Sequence, residues 1–206
     1  PENSLGAFEN AVERGYGIEL DVQLSKDKRI MVFHDATLKR MCAHGGKLSD
    51  YTAEELQKMS LAGSEYTIPT FVEVLHTVRG RVPLLIELKG KNTRLCEEVA
   101  RMLDKYDGYF AIHSFNPILL NWFRIKRPRY LRGQLVTNMF KSKNKENIFI
   151  KCILSLMLTN CISKPDFISY DVNDANNISV LICQKLYHTP MFAWTITTPE
   201  KYGEVK

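Results

Sequence analysis

The alternation of apolar and polar positions is sharpest over residues 18–35, IELDVQLSKDKRIMVFHD. Ile18, Leu20, Val22 and Leu24 fall on one face at a period of two, with Glu19, Asp21 and Gln23 on the other, which predicts a strand. A turn at Lys26-Asp27-Lys28 and a second extended run over 30–33 then deliver His34 and Asp35. The pattern returns in LLIELK at 84–89, where Leu85, Glu87 and Lys89 share a face opposite Leu84, Ile86 and Leu88. Two carboxylates side by side on a strand that reads as internal are costly unless a cation or a wet pocket receives them.

Around these strands the period changes to that of helices. Leu5, Phe8 and Val12 predict an amphipathic helix over 1–15, with Asn3 as its N-cap and Gly15 as its end. Residues 36–68 break the rhythm with Gly45-Gly46 and a short helix opened by Thr52, Glu55 lying at the capping-box spacing. They read as an insertion. After Pro69, helices over 70–78, 94–105, 117–126, 145–158 and 177–187 alternate with strands over 83–89, 109–114, 131–136, 166–171 and 190–196. That alternation predicts βαβ units around a parallel sheet. No glycine-rich phosphate turn is present, which argues against a Rossmann-type sheet. Polar residues at the ends of several strands point instead to a (β/α)8 barrel, whose chemistry gathers at the carboxyl ends of its strands.

Six main strands are visible, where a closed barrel needs eight. The chain also starts inside a helix and stops at Thr198-Pro199-Glu200, which reads as the opening of another. The expectation is an α/β fold: a TIM barrel incomplete at both ends, one domain over 1–206 with the insertion at 36–68. The missing strands would lie before Pro1 and after Lys206, and a chain so truncated is expected to be inactive by itself.

Composition narrows the function classes. The 206 residues are 45% hydrophobic, enough for a sizeable core. No apolar run approaches the roughly 20 residues that span a bilayer. Five cysteines without CxxC spacing read as free thiols in a reducing compartment, which implies a cytoplasmic protein. The net charge of +5 is concentrated in segment 124–151, where nine Lys and Arg face Glu146 alone. Such a run is either the solvated face of helices or an attractor of anions. It lacks the interleaved aromatics that stack bases, so nucleic acid is not expected as a partner. A weak contact with an anionic membrane surface remains as an expectation.

The candidate chemistry follows from residue types. Glu19, Asp21 and Glu87, with no His or Cys beside them, suit a hard divalent cation, Mg²⁺ or Ca²⁺. His34, at a strand end beside them, suits proton transfer. Lys89, on the face of Glu87, could hold a phosphoryl oxygen or neutralise a carboxylate.

Seven motifs in order carry a resemblance. They are PENSLxAF at 1–8, ELDV at 19–22, FHD at 33–35, IPTFxEVL at 68–75, IELK at 86–89, SF at 114–115 and AWT at 193–195. Together they resemble the glycerophosphodiester phosphodiesterases. The resemblance implies a TIM barrel with a small insertion after the His-Asp motif, and hydrolysis of glycerophosphodiesters to glycerol 3-phosphate and an alcohol with a divalent cation. It further implies metal ligands at Glu19, Asp21 and Glu87, and acid/base work at His34. Glu2 and Trp194 become pocket residues, Trp194 walling the glycerol, and Lys89 a catalytic or substrate-binding residue. The family's His-Arg-Gly and closing Thr-Asp motifs are not among these residues, and Thr197 stands where many members have Asn. A related phospholipase-type phosphodiesterase, or a non-catalytic barrel binding phosphorylated ligands, is the alternative expectation.

Overall fold

The computed structural model describes residues 1–137 and 157–204, which form two compact units, Pro1–Ile112 and His113–Lys206. In the first, helix α1 (Leu5–Glu13) precedes strand β1 (Ile18–Leu24), which pairs antiparallel with β2 (Ile30–Val32) and parallel with β3 (Leu84–Leu88). The β1–β3 register sets Asp21 opposite Glu87 and Glu19 opposite Leu85. Leu20, Val22 and Ile86 are fully buried, so the apolar face read from the sequence is the packed face. Helices α4 (Phe71–Val78) and α5 (Arg94–Leu103) flank β3 in the chain, and α4 opens on the capping box of Thr70 and Glu73.

The first helix differs from the sequence reading at its start. Ser4, not Asn3, is the N-cap: its hydroxyl accepts from the Ala7 N–H at 3.2 Å. Asn3 takes a left-handed backbone, φ +54°, which asparagine tolerates better than most residues, and its side chain goes elsewhere.

The stretch 36–68 holds two short helices, α2 (Lys39–Cys42) and α3 (Ala53–Leu56), and a 3-10 turn (Leu48–Asp50). Their apolar residues, among them Leu38, Leu48, Leu56 and Leu61, gather with Met31 and Phe33 into one buried cluster. This cluster fastens the stretch to β2, immediately beside His34. The capping box of Thr52 and Glu55 is present as its spacing predicts.

Strand β4 (Phe110–Ser114) carries the chain into the second unit. There α6 (Pro117–Lys126) leads to β5 (Arg132–Val136), α7 (Asn160–Ser163) to β6 (Phe167–Asp171), and α8 (Ile178–Lys185) to β7 (Met191–Trp194). The pairs β5–β6 and β6–β7 are parallel. Helix α9 (Pro199–Glu204) begins where Thr198-Pro199 announced it. Residues 138–156, with all but the last two positions of the helix expected over 145–158 and half of the basic segment, lie outside the described residues. No helix among the described residues is long and apolar enough to cross a membrane.

Candidate active site

The first unit collects most of the chemically suggestive side chains. A cavity of about 600 Å³ is lined by Glu2, Asn3, Glu19, Asp21, His34 and Asp35, among others. Parallel pairing of β1 with β3 explains why: residues at the carboxyl ends of adjacent strands come level, and the alternation turns Asp21 and Glu87 into the interior. Asp21 and Glu87 are both buried, while Glu19 is exposed.

Lys89 lies just past the end of β3 and reaches back across this pair. Its Nζ is 2.7 Å from Glu87 Oε1 and 3.2 Å from Asp21 Oδ1. Burial works against the ammonium, but Glu87 and Asp21 outweigh it and raise the Lys89 pKa. The lysine therefore stays charged at neutral pH and partly offsets two buried carboxylates. Glu19 and Glu87 offer oxygens within 4.8 Å of each other. Asp21 Oδ1 is buried and receives no hydrogen bond of good geometry. Glu19 and Glu87 could together hold a divalent cation.

His34 follows β2 with its ring about half exposed, and its Nδ1 lies 2.7 Å from Asp35 Oδ1. Asp35 is in turn gripped by Arg40 of α2, whose Nε donates to Oδ2 at 2.6 Å and Nη2 to Oδ1 at 2.9 Å. The Arg40 guanidinium holds the Asp35 carboxyl at about 2, against partial burial and with help from His34. Arg40 also donates to both carboxylate oxygens of Glu2, and this pairing, followed by that with Asp35, raises its own pKa. Glu2 thus lines the cavity as one end of an ion-paired chain running through Arg40 and Asp35 to His34.

Asn3, Gln23, Asp35 and Arg40 hold this site together, and none stood among the candidates read from the sequence. Asp35 had a signal in the FHD motif. Asn3 was read as a cap, Gln23 as one more polar position of a strand, and Arg40 had no signal. Trp194 belongs to the second unit, on β7, where its ring meets Phe115 edge to face at 6.0 Å. His113 is buried near the carboxyl end of β4.

Comparison with known proteins agrees with these features. The description "Glycerophosphoryl diester phosphodiesterase family" matches residues 1–200. A glycerophosphodiester phosphodiesterase of Bacillus altitudinis is 44% identical over 100 residues, 45% of this chain and 41% of that protein. One from Caldanaerobacter subterraneus subsp. tengcongensis is 40% identical over 149 residues, 66% of this chain and 61% of that protein. The chain spans less than two thirds of the length of these curated relatives. Among solved structures, a glycerophosphodiester phosphodiesterase from Thermotoga maritima matches with a TM-score of 0.74 at 27% identity, covering 99% of this chain and 84% of that one. A phosphodiesterase from Oleispira antarctica matches with a TM-score of 0.79 at 20% identity, over 100% and 83%, a likeness of fold. The fold is the α/β fold of the family's TIM barrels. From its first residues to position 200, the chain belongs to the glycerophosphoryl diester phosphodiesterase family.

Proposed function

We propose that this chain carries the metal-dependent hydrolysis of glycerophosphodiesters to glycerol 3-phosphate and an alcohol. The observation that carries the reading is the level pairing of buried Asp21 and Glu87 on parallel strands, with Glu19 beside them and His34 on the same cavity. Family membership supports it, as does the Oleispira antarctica phosphodiesterase, solved with the product sn-glycerol 3-phosphate.

On this reading Glu19, Asp21 and Glu87 hold a divalent cation, Mg²⁺ or Ca²⁺, which when bound acts as a Lewis acid toward phosphoryl oxygens. His34 moves a proton to or from a reacting oxygen, with Asp35 fixing its ring through Nδ1. Lys89, held charged between Asp21 and Glu87, presents an ammonium to the phosphoryl group. Glu2 lines the cavity, and Trp194, on β7 of the second unit, is the residue that the resemblance assigns to the glycerol moiety. The thiols of Cys42, Cys96, Cys161 and Cys183, none of them in a disulfide, suit a reducing, cytoplasmic setting.

The test is an assay of the full-length protein with glycerophosphocholine, following glycerol 3-phosphate release. Activity should vanish in a chelator and return with added Mg²⁺ or Ca²⁺. Full activity in the chelator would overturn the metal assignment, and an intact, cation-loaded protein that releases nothing would overturn the reaction.

A further inference from the structure

The β1–β2 ladder ends at Val22 opposite Val32, with one further bond from Phe33 N–H to Asp21 O at 2.9 Å. His34 and Asp35 lie beyond it, and among the described residues no strand pairs with their backbone. Their carbonyls, and that of Phe33, turn instead toward one side chain. Gln23 Nε2 lies 2.7 Å from Phe33 O, 3.1 Å from His34 O and 2.9 Å from Asp35 O. An amide nitrogen has two hydrogens, so the three carbonyls share them, and three successive carbonyls meet one donor only if the chain curls around it.

The residue type is specific to this task. Three converging carbonyl dipoles repel one another unless a donor sits among them. Glutamate has the same shape as glutamine but no donor, and asparagine is one methylene shorter. Gln23 stands on the face of β1 that carries Glu19 and Asp21, opposite Met31 in register, so its amide starts level with the turn it gathers. The second unit repeats the device independently. Gln134 on β5 donates to Ser114 O at 3.1 Å, Phe115 O at 3.2 Å and Leu135 O at 3.0 Å, holding the turn that leaves β4.

We infer that Gln23 is a positioning residue for His34: its amide fixes the backbone curl that aims the imidazole into the cavity, while Asp35 fixes the ring. The inference rests on the reading of His34 as the proton-transfer residue. It separates two kinds of polar residue on one strand face, cation ligands at 19 and 21 and a backbone clamp at 23.

The test compares Gln23→Met, which keeps the length and removes the donor, with Gln23→Glu, which keeps the shape and adds only acceptors. Each is made in the full-length protein, alone and together with His34→Ala. For glycerophosphocholine, kcat should fall about tenfold to a hundredfold, as expected when a reacting group is misplaced by an ångström, with KM and the Mg²⁺ dependence unchanged. In the His34→Ala background neither variant should lower kcat further. An equal loss in both backgrounds would mark Gln23 as merely structural and overturn the inference, as would an unchanged kcat. The His34 ring resonances of histidine-labelled protein supply a readout that needs no turnover. They should move in Gln23→Met, and unmoved signals would overturn the clamp even if the protein proved to have no phosphodiesterase activity, a result that would instead refute the proposed function.

Discussion

Asn3 holds Asp21 at two points: its Nδ2 donates to Asp21 Oδ2 at 2.8 Å, and its Oδ1 accepts from the Asp21 N–H at 3.3 Å. Asn3, just ahead of the Ser4 cap of α1, thus fixes a buried carboxylate on β1, leaving the other carboxylate oxygen toward Lys89. Asn3→Gly keeps the left-handed backbone conformation easy and removes both bonds. It should destabilise the protein by about 1–3 kcal/mol, the cost of leaving a buried polar group unsatisfied. A urea titration measures this, and an unchanged midpoint would show that solvent replaces the clasp at no cost.

Glu87→Gln keeps the shape of the side chain while removing its charge. Lys89 then keeps an acceptor but loses the negative charge it meets at 2.7 Å, and the proposed cation loses an anionic ligand. Apparent Mg²⁺ or Ca²⁺ affinity should fall by more than the roughly 10–100-fold typical of an outer-shell loss, with activity partly restored at high cation concentration. Calorimetric titration of the cation reads this directly. Equal affinities in variant and wild type would remove Glu87 from the ligand set.

His34→Ala should lower turnover of glycerophosphocholine by roughly 10²–10⁴, the usual worth of a positioned acid or base. Its half-exposed ring packs little, so the thermal midpoint should barely move. A rate within a factor of a few of wild type would leave proton transfer to another group.

The Asp35 carboxyl sits at about 2 in the folded protein, below its ordinary 3.8, first because Arg40 donates to it. A depressed carboxylate stabilises the fold above its unfolded pKa and loses that contribution as pH falls through its folded value. The window here is about pH 4 to 2. Asp35→Asn should therefore flatten the loss of stability across that window, and Arg40→Met, by letting the folded pKa return toward its ordinary value, should narrow the window and flatten the loss as well. Denaturant midpoints taken from pH 5 to pH 2 test both, and superimposable acid limbs for all three proteins would refute the coupling.

Gly133 on β5 lies opposite Phe167 on β6, and a Cβ there would stand 2.1 Å from the Phe167 ring. Glycine within a strand is ordinarily a weak choice that alanine improves. Here the Phe167 ring is buried and packed edge to face on Phe192 at 5.1 Å, so it has little room to yield. Gly133→Ala should destabilise by about 1–3 kcal/mol, the typical cost of overpacking. A raised melting temperature would contradict this.

Local pattern was enough to place most elements, because period and capping chemistry act within a few residues. The period of two in 18–24 located β1, the spacing of Phe71, Val74 and Val78 located α4, and Thr52 with Glu55 announced α3. The same periodicity put Glu19, Asp21 and Gln23 on one strand face and Glu87 with Lys89 on another. It could say that those carboxylates needed a partner, since burying charge is costly whatever the fold.

Tertiary structure alone decided who that partner is. The β1–β3 register brings Asp21 level with Glu87 across 66 positions of chain and sets Lys89 between them. Asn3 was legible as a polar residue ahead of a helix, which fits a cap, but Ser4 does that work and Asn3 turns to a strand 18 residues away. Arg40 reaches Glu2 over 38 residues because the small core of 36–68 packs on Met31 and Phe33 beside His34. Gln23 read as one more polar strand position until three carbonyls from the following turn closed on it. Periodicity fixes the direction of a side chain relative to its own backbone. The groups it meets depend on register and chain path, set by packing between segments far apart in the chain.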